Sequence, residues 1–134
     1  MKKAFILLVS MVLACVTVGA QTVTSDGPNN EIFTIVEQDP QFPGGNDALY
    51  QYLGQNAHYP PQAKEQGLQG TVYLTFIIER DGSISNIRVL HSPSDLLSEE
   101  AVRLVKAMPK WKPGKQRGKN VRVQYNLPIN FQLD

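Results

Sequence analysis

Cysteine is almost absent from this chain of 134 residues: Cys15 is the only one, and it lies in an apolar N-terminal stretch. That excludes an internal disulfide and a cysteine-borne zinc site, so the core must be held by packing alone. Histidine is nearly as scarce. His58 and His91 stand alone, neither has further ligands at metal spacing, and no metal or other cofactor is expected. Charge of one sign is lacking too: 13 lysines and arginines face 12 aspartates and glutamates. Such a balance leaves no footprint for a nucleic-acid backbone or an anionic membrane surface. A Ser-His-Asp pattern, a phosphate-binding glycine loop and a helix-borne carboxylate pair are also missing, and Gly44-Gly45 reads as a turn ahead of a helix. These gaps argue against an enzyme.

What is present begins with Lys2 and Lys3, an apolar run from Ala4 to Val18, and small residues Gly19 and Ala20. The run is short for a bilayer span, and the layout is that of a secretory signal peptide cleaved after Ala20. A second reading takes Val12-Leu13-Ala14-Cys15 as a lipobox, which would leave the protein lipid-anchored through Cys15; the better cleavage site at Ala20 favours the first. Residues 1–20 are therefore assigned to the signal peptide and 21–39 to a polar leader and N-terminal arm, in which Glu31 to Val36 has the composition of a short strand. Residues 40–134 form one small domain.

Within that domain Leu49, Tyr52 and Leu53 recur at helical spacing between a cap at Asn46 or Asp47 and Asn56. Pro61 suits the first turn of a second short helix. From Gly70 the period changes to two, with Val72, Leu74, Phe76 and Ile78 on one face. Asp81-Gly82 turns the chain into a second strand, Ile84 to Leu90, with a bulge expected near Ser85. Ser98-Glu99-Glu100 carries cap and dipole chemistry for a helix with Ala101, Leu104, Val105 and Met108 as its apolar stripe, ended by Pro109. The last strand alternates without error from Val121 to Leu133. A hairpin, a crossover helix and a third strand predict an α+β fold: a small three-stranded antiparallel sheet of order 2-1-3, with helices on one face and the last strand at an edge.

These residues resemble a family in their ordered combination. Tyr59-Pro60, Ala63, Gly67, Gly70, Val72, Phe76, Asp81-Gly82, Ala101, Pro109-x-Trp111-x-Pro113-Gly114, Gly118 and Leu127-Pro128-Ile129-x-Phe131 are similar to the C-terminal domain of TonB energy transducers, and Phe42 to Gly45 resembles the version common in Bacteroidetes. The resemblance implies a periplasmic module that takes part in transport across the outer membrane. It would capture an N-terminal peptide, the TonB box, of an outer-membrane receptor as an added strand. Full-length transducers also carry a transmembrane helix and a long proline-rich linker. This chain, with its expected signal peptide and short leader, would need a membrane-anchored transducer complex as a partner. The competing expectation is an envelope interaction protein that uses the same fold for another exported partner or for a homodimer.

Pro128 sharpens the candidate site. Proline cannot donate to a ladder, so in mid-strand it belongs on an edge with its nitrogen turned outward. Arg122, Gln124 and Asn126 would share that outward direction, and with Val121, Val123 and Tyr125 they form the expected capture stretch. The alternative is that Pro128 and Arg122 only guard the edge against aggregation. Trp111 has two readings, a binding wall beside this strand or an indole packed on the core, and the second is favoured. Lys115, Arg117 and Lys119 read as the solvated face of a flexible loop.

Overall fold

In the computed structural model of the chain, residues 30–134 are described; the expected signal peptide, Cys15 and the first part of the leader lie outside them. The elements are β1 (Ile32–Phe33), α1 (Asn46–Asn56), α2 (Pro61–Glu65), β2 (Gly70–Ile78), β3 (Ile84–His91), α3 (Asp95–Lys106), β4 (Gly114–Gln116) and β5 (Lys119–Phe131).

The α+β class and the expected order of the three main strands are observed, with β2 between β3 and β5 and antiparallel to both. Two short strands enlarge the sheet and make it mixed. β1 lies parallel to β5, with Ile32 opposite Arg122 and Phe33 opposite Val123, and β4 is antiparallel to the start of β5. The stretch from Gly114 to Lys119, expected as a flexible loop, is therefore a hairpin. Arg117 and Gly118 both adopt positive φ (54° and 77°), the conformation a two-residue turn needs to match the twist of its strands.

Alternation dictates the core. Val72, Leu74, Phe76 and Ile78 are fully buried and meet Leu97, Ala101, Leu104 and Val105 of α3 and Leu49 and Leu53 of α1 in one cluster. On the other face of β2, Thr75 and Ile77 are buried as well. A strand with neighbours on both sides keeps less of its second face in water than a half-buried strand does.

Two helix starts differ from expectation for physical reasons. α3 begins a turn earlier, because Ser94 after Pro93 is the cap: its Oγ accepts from the Leu97 N–H at 3.2 Å. Ser98 lies inside that first turn and donates its hydroxyl to Ser94 O at 3.1 Å, so Leu97 joins the buried stripe. At α1 neither Asn46 nor Asp47 caps; Gly45 occupies the N-cap with no side-chain bond. The expected bulge is present. Thr75 faces Arg88 and Ile77 faces Ser85, which places an extra residue on β3, where Asn86 has φ 52°.

The Asp81-Gly82 turn ties the hairpin to the rest of the core. Ser83 donates its N–H and hydroxyl to Asp81 Oδ1 at 2.9 and 2.6 Å, and these bonds hold the Asp81 carboxyl down at about 2. Gly82 O accepts from Trp111 N–H at 2.8 Å. A Cβ on Gly82, whose φ is 87°, would come within 2.0 Å of Trp111 O, so only glycine allows this approach.

Candidate functional site

The sheet pairing sets the direction of every backbone group on β5. Glu79 donates its N–H to Ser83 O at 2.8 Å, so the odd-numbered residues of β2 address β3 and the even-numbered ones address β5. Val72, Leu74, Phe76 and Ile78 stand opposite Ile129, Leu127, Tyr125 and Val123. Those four therefore bond inward, and Arg122, Gln124, Asn126, Pro128 and Asn130 turn their main chain away from β2. Side chains follow the same alternation: Val123, Leu127, Ile129 and Phe131 are buried, while Gln124, Asn126, Pro128 and Asn130 are exposed.

This outward margin begins occupied, which corrects the expectation of a strand free along its whole length. In a parallel ladder a residue bonds the two neighbours of its opposite number. Phe33, opposite Val123, thus addresses Arg122 and Gln124, two residues of the expected capture stretch. Beyond that point, no strand among the described residues lies outside β5. Behind β1 the arm is fastened firmly. Gln38 and Lys115 exchange two backbone bonds of 3.1 and 2.9 Å, Gln41 and Lys112 two more of 2.9 and 2.8 Å. Glu37 accepts from Arg117 N–H at 2.7 Å and donates its own N–H to Gln116 Oε1 at 3.0 Å. Ile32 and Ile35 are exposed, whereas Phe42 at the other end of the arm is buried.

Arg122 does more than guard an edge. Its guanidinium meets Glu79 through Nε at 2.8 Å and a terminal nitrogen at 3.2 Å, and Ser85 donates its hydroxyl to the same carboxylate. The hydrogen bond from Arg122 is the main reason the Glu79 carboxyl lies below its ordinary value, against the opposing effect of burial. Glu79 escaped the sequence reading. Its signal was available once Ile78 was opposite Val123, because the next pair outward is Glu79 with Arg122.

Trp111 belongs to the core. It is 3% exposed and makes edge-on contacts with Phe42, Phe76 and Tyr125 at ring separations of 5.6, 5.8 and 4.9 Å. It can act on the margin only by bracing Tyr125, which with Val123 forms the inner face of the capture stretch. Burial, then the proximity of Tyr50 and Asp39, raises the Tyr125 hydroxyl above its usual range. Val121 lies in the β4–β5 hairpin opposite Gly114.

The two helices are clamped together beside this strand. Tyr52 of α1 donates its hydroxyl to Leu104 O of α3 at 2.7 Å. Glu100 accepts from Arg103 Nε at 2.7 Å and from His58 N–H at 2.6 Å, and Arg103 also donates to Asn56 O at 2.8 Å. Burial opposes ionisation of Glu100, but Arg103 and the His58 N–H outweigh it and hold the carboxyl below its ordinary value.

Among the described residues no helix is long and apolar enough to cross a membrane, and no acidic, histidine or cysteine cluster has the makings of a metal site.

The profile of the family described as Gram-negative bacterial TonB protein C-terminal matches residues 55–133. The chain is 30% identical over 76 residues to Protein TonB of Helicobacter pylori and 35% identical over 78 residues to Protein TonB of Pseudomonas aeruginosa. These matches span 56% and 57% of this chain but only 25% and 22% of those proteins. Among solved structures, the NMR structure of the Helicobacter pylori TonB C-terminal domain, residues 179–285, has the same fold, with a TM-score of 0.51 at 24% identity over 69% of this chain and 87% of that one.

Proposed function

Because this chain belongs to the family of Gram-negative bacterial TonB C-terminal domains, we propose that it is a non-enzymatic periplasmic module of TonB-dependent transport. It captures the extended N-terminal peptide of an outer-membrane receptor by strand addition to the outer margin of β5. Export by cleavage after Ala20 delivers it, and a membrane-anchored transducer complex supplies the coupling to energy.

The observation that carries this reading is the direction of the backbone on β5. From Gln124 to Asn130 the outward groups face away from β2, and Pro128 stands where a missing N–H costs the sheet nothing. β1 supports it, since the same margin accepts an extended segment in parallel at Arg122 and Val123. Affinity would come mainly from main-chain bonds, with side chains adding selectivity. Glu79 and Arg122 brace the entrance of the stretch, and Val123 and Tyr125 present its inner face.

The test is a titration of receptor N-terminal peptides into isotopically labelled protein. Amide shifts at Gln124, Asn126 and Asn130 are the expected outcome. Shifts confined to β3, or none at millimolar peptide, would sink the reading in favour of an envelope protein with another partner.

A further inference from the structure

Resting on the edge-capture reading, we propose that the peptide is selected by one bulky apolar side chain near its distal end, which fills a groove between α1 and the far half of β5. The groove, of about 530 Å³, wraps the margin of β5: Tyr50, Leu53 and Gly54 of α1, Ala57 just after it, and Ile129 and Phe131 line its helix side, while Thr71, Tyr73, Pro128 and Asn130 line it from the other face of the sheet. The two tyrosines are exposed, although large aromatic side chains gain most from burial. Neither a carboxylate nor a cation is among the lining residues. A charged side chain entering there would lose water and meet no opposite charge, whereas an apolar one loses nothing.

The direction of the incoming strand comes from β1. Ile32 and Phe33 run parallel to β5 opposite Arg122 and Val123, so a longer segment in the same register continues toward Pro128 and arrives at the groove. Side chains opposite Tyr125, Leu127 and Ile129 fall on the helix side of the sheet, because partners on neighbouring strands share a face. The occupant is thus a side chain of the peptide opposite Ile129.

Gly54 makes the idea testable without endangering the fold. Nothing lies within 4 Å of where its Cβ would stand, it sits in the last turns of α1, and any ordinary side chain there favours the helix over glycine. Gly54→Leu should therefore fill the groove in a folded protein.

The probes are six-residue peptides that repeat the chain's own Thr34–Val36 and end in Thr-Thr-X, so that they start opposite Gln124, beyond β1, and place X as Phe, Ala or Lys opposite Ile129; binding to the full chain is read by fluorescence anisotropy. The Phe peptide should bind about tenfold or more tightly than the Ala and Lys peptides, as expected for burying one aromatic side chain. Gly54→Leu should remove that advantage and leave the Ala peptide unchanged. Equal binding of the three peptides, or equal weakening of all by Gly54→Leu, would overturn the groove. Asn126→Pro reports separately on the edge and should abolish binding of all three. If it does so while X makes no difference, strand capture stands and the groove is refuted; if binding survives it, both fall.

Discussion

The two long margins of the sheet are built differently. β3 is interrupted: its register against β2 shifts twice, Asn86 takes a positive φ, and Leu90 stays exposed beside the bulge. β5 holds nine consecutive partners on β2, from Val123 to Phe131, without a shift. A bulge bends and twists a strand so that a newcomer cannot follow it, whereas a straight strand presents evenly spaced donors and acceptors. Apolar side chains are exposed on the margin that resists addition, and the receptive margin bears polar ones. Receptivity therefore depends on backbone regularity more than on surface hydrophobicity, which suits a partner recognised through its main chain.

Substitutions can break this contrast to different depths. Val123→Pro should have the largest effect. It removes a donor that faces β2 and a buried side chain, so cooperative unfolding should vanish from circular dichroism at any temperature. Leu104→Ala, under both margins, should cost about 2 to 5 kcal/mol in denaturant titrations and leave the peptide affinity of the folded protein unchanged; a cost near zero would show that α3 packs by another face. Asn126→Pro removes only an outward donor beyond the reach of β1. Unfolding should change by about 1 kcal/mol or less, while calorimetry with receptor peptide should show no binding. Gln124→Pro is less discriminating, because it also disturbs β1.

Acid should act more gently, through paired carboxyls. Glu79 and Glu100 both lie below their ordinary 4.5 when folded. Such carboxyls contribute stability that is complete above the unfolded value and lost as pH falls through the folded one. The denaturant midpoint should thus decline below about pH 4.5, and Glu79→Gln should lower stability at neutral pH by about 1 kcal/mol while flattening that decline. Leu90→Lys on β3 should change neither stability nor peptide affinity beyond error. Loss of peptide binding there would reverse the assignment of the two margins.

Much of this is legible in the sequence. The run from Val121 to Leu133 announced β5 and its buried face, because a period of two leaves a single register that hides every apolar side chain. Pro128 announced the margin, and Gly70 to Ile78 the central strand. The start of α3 was misplaced because Ser98 and Glu99-Glu100 carry the same cap chemistry as Ser94, and only the turn after Pro93 decides between them. The Gly114–Lys119 hairpin was missed because its polar residues have no periodicity, and its pairing depends on the length of β5.

The sequence by itself determined the helices and the three main strands, the apolar stripe each one buries and the direction in which β5 turns its backbone. All of these follow from local periodicity and from the chemistry of proline and glycine. Only the tertiary structure decided that the N-terminal arm folds back to lay Ile32 and Phe33 against Arg122 and Val123, that Trp111 goes inward against Tyr125, and that α1 leaves a groove beside Ile129. These are contacts between segments far apart in the chain. Their free energy depends on how the packed elements meet in space, and no short-range pattern of residues encodes that distance.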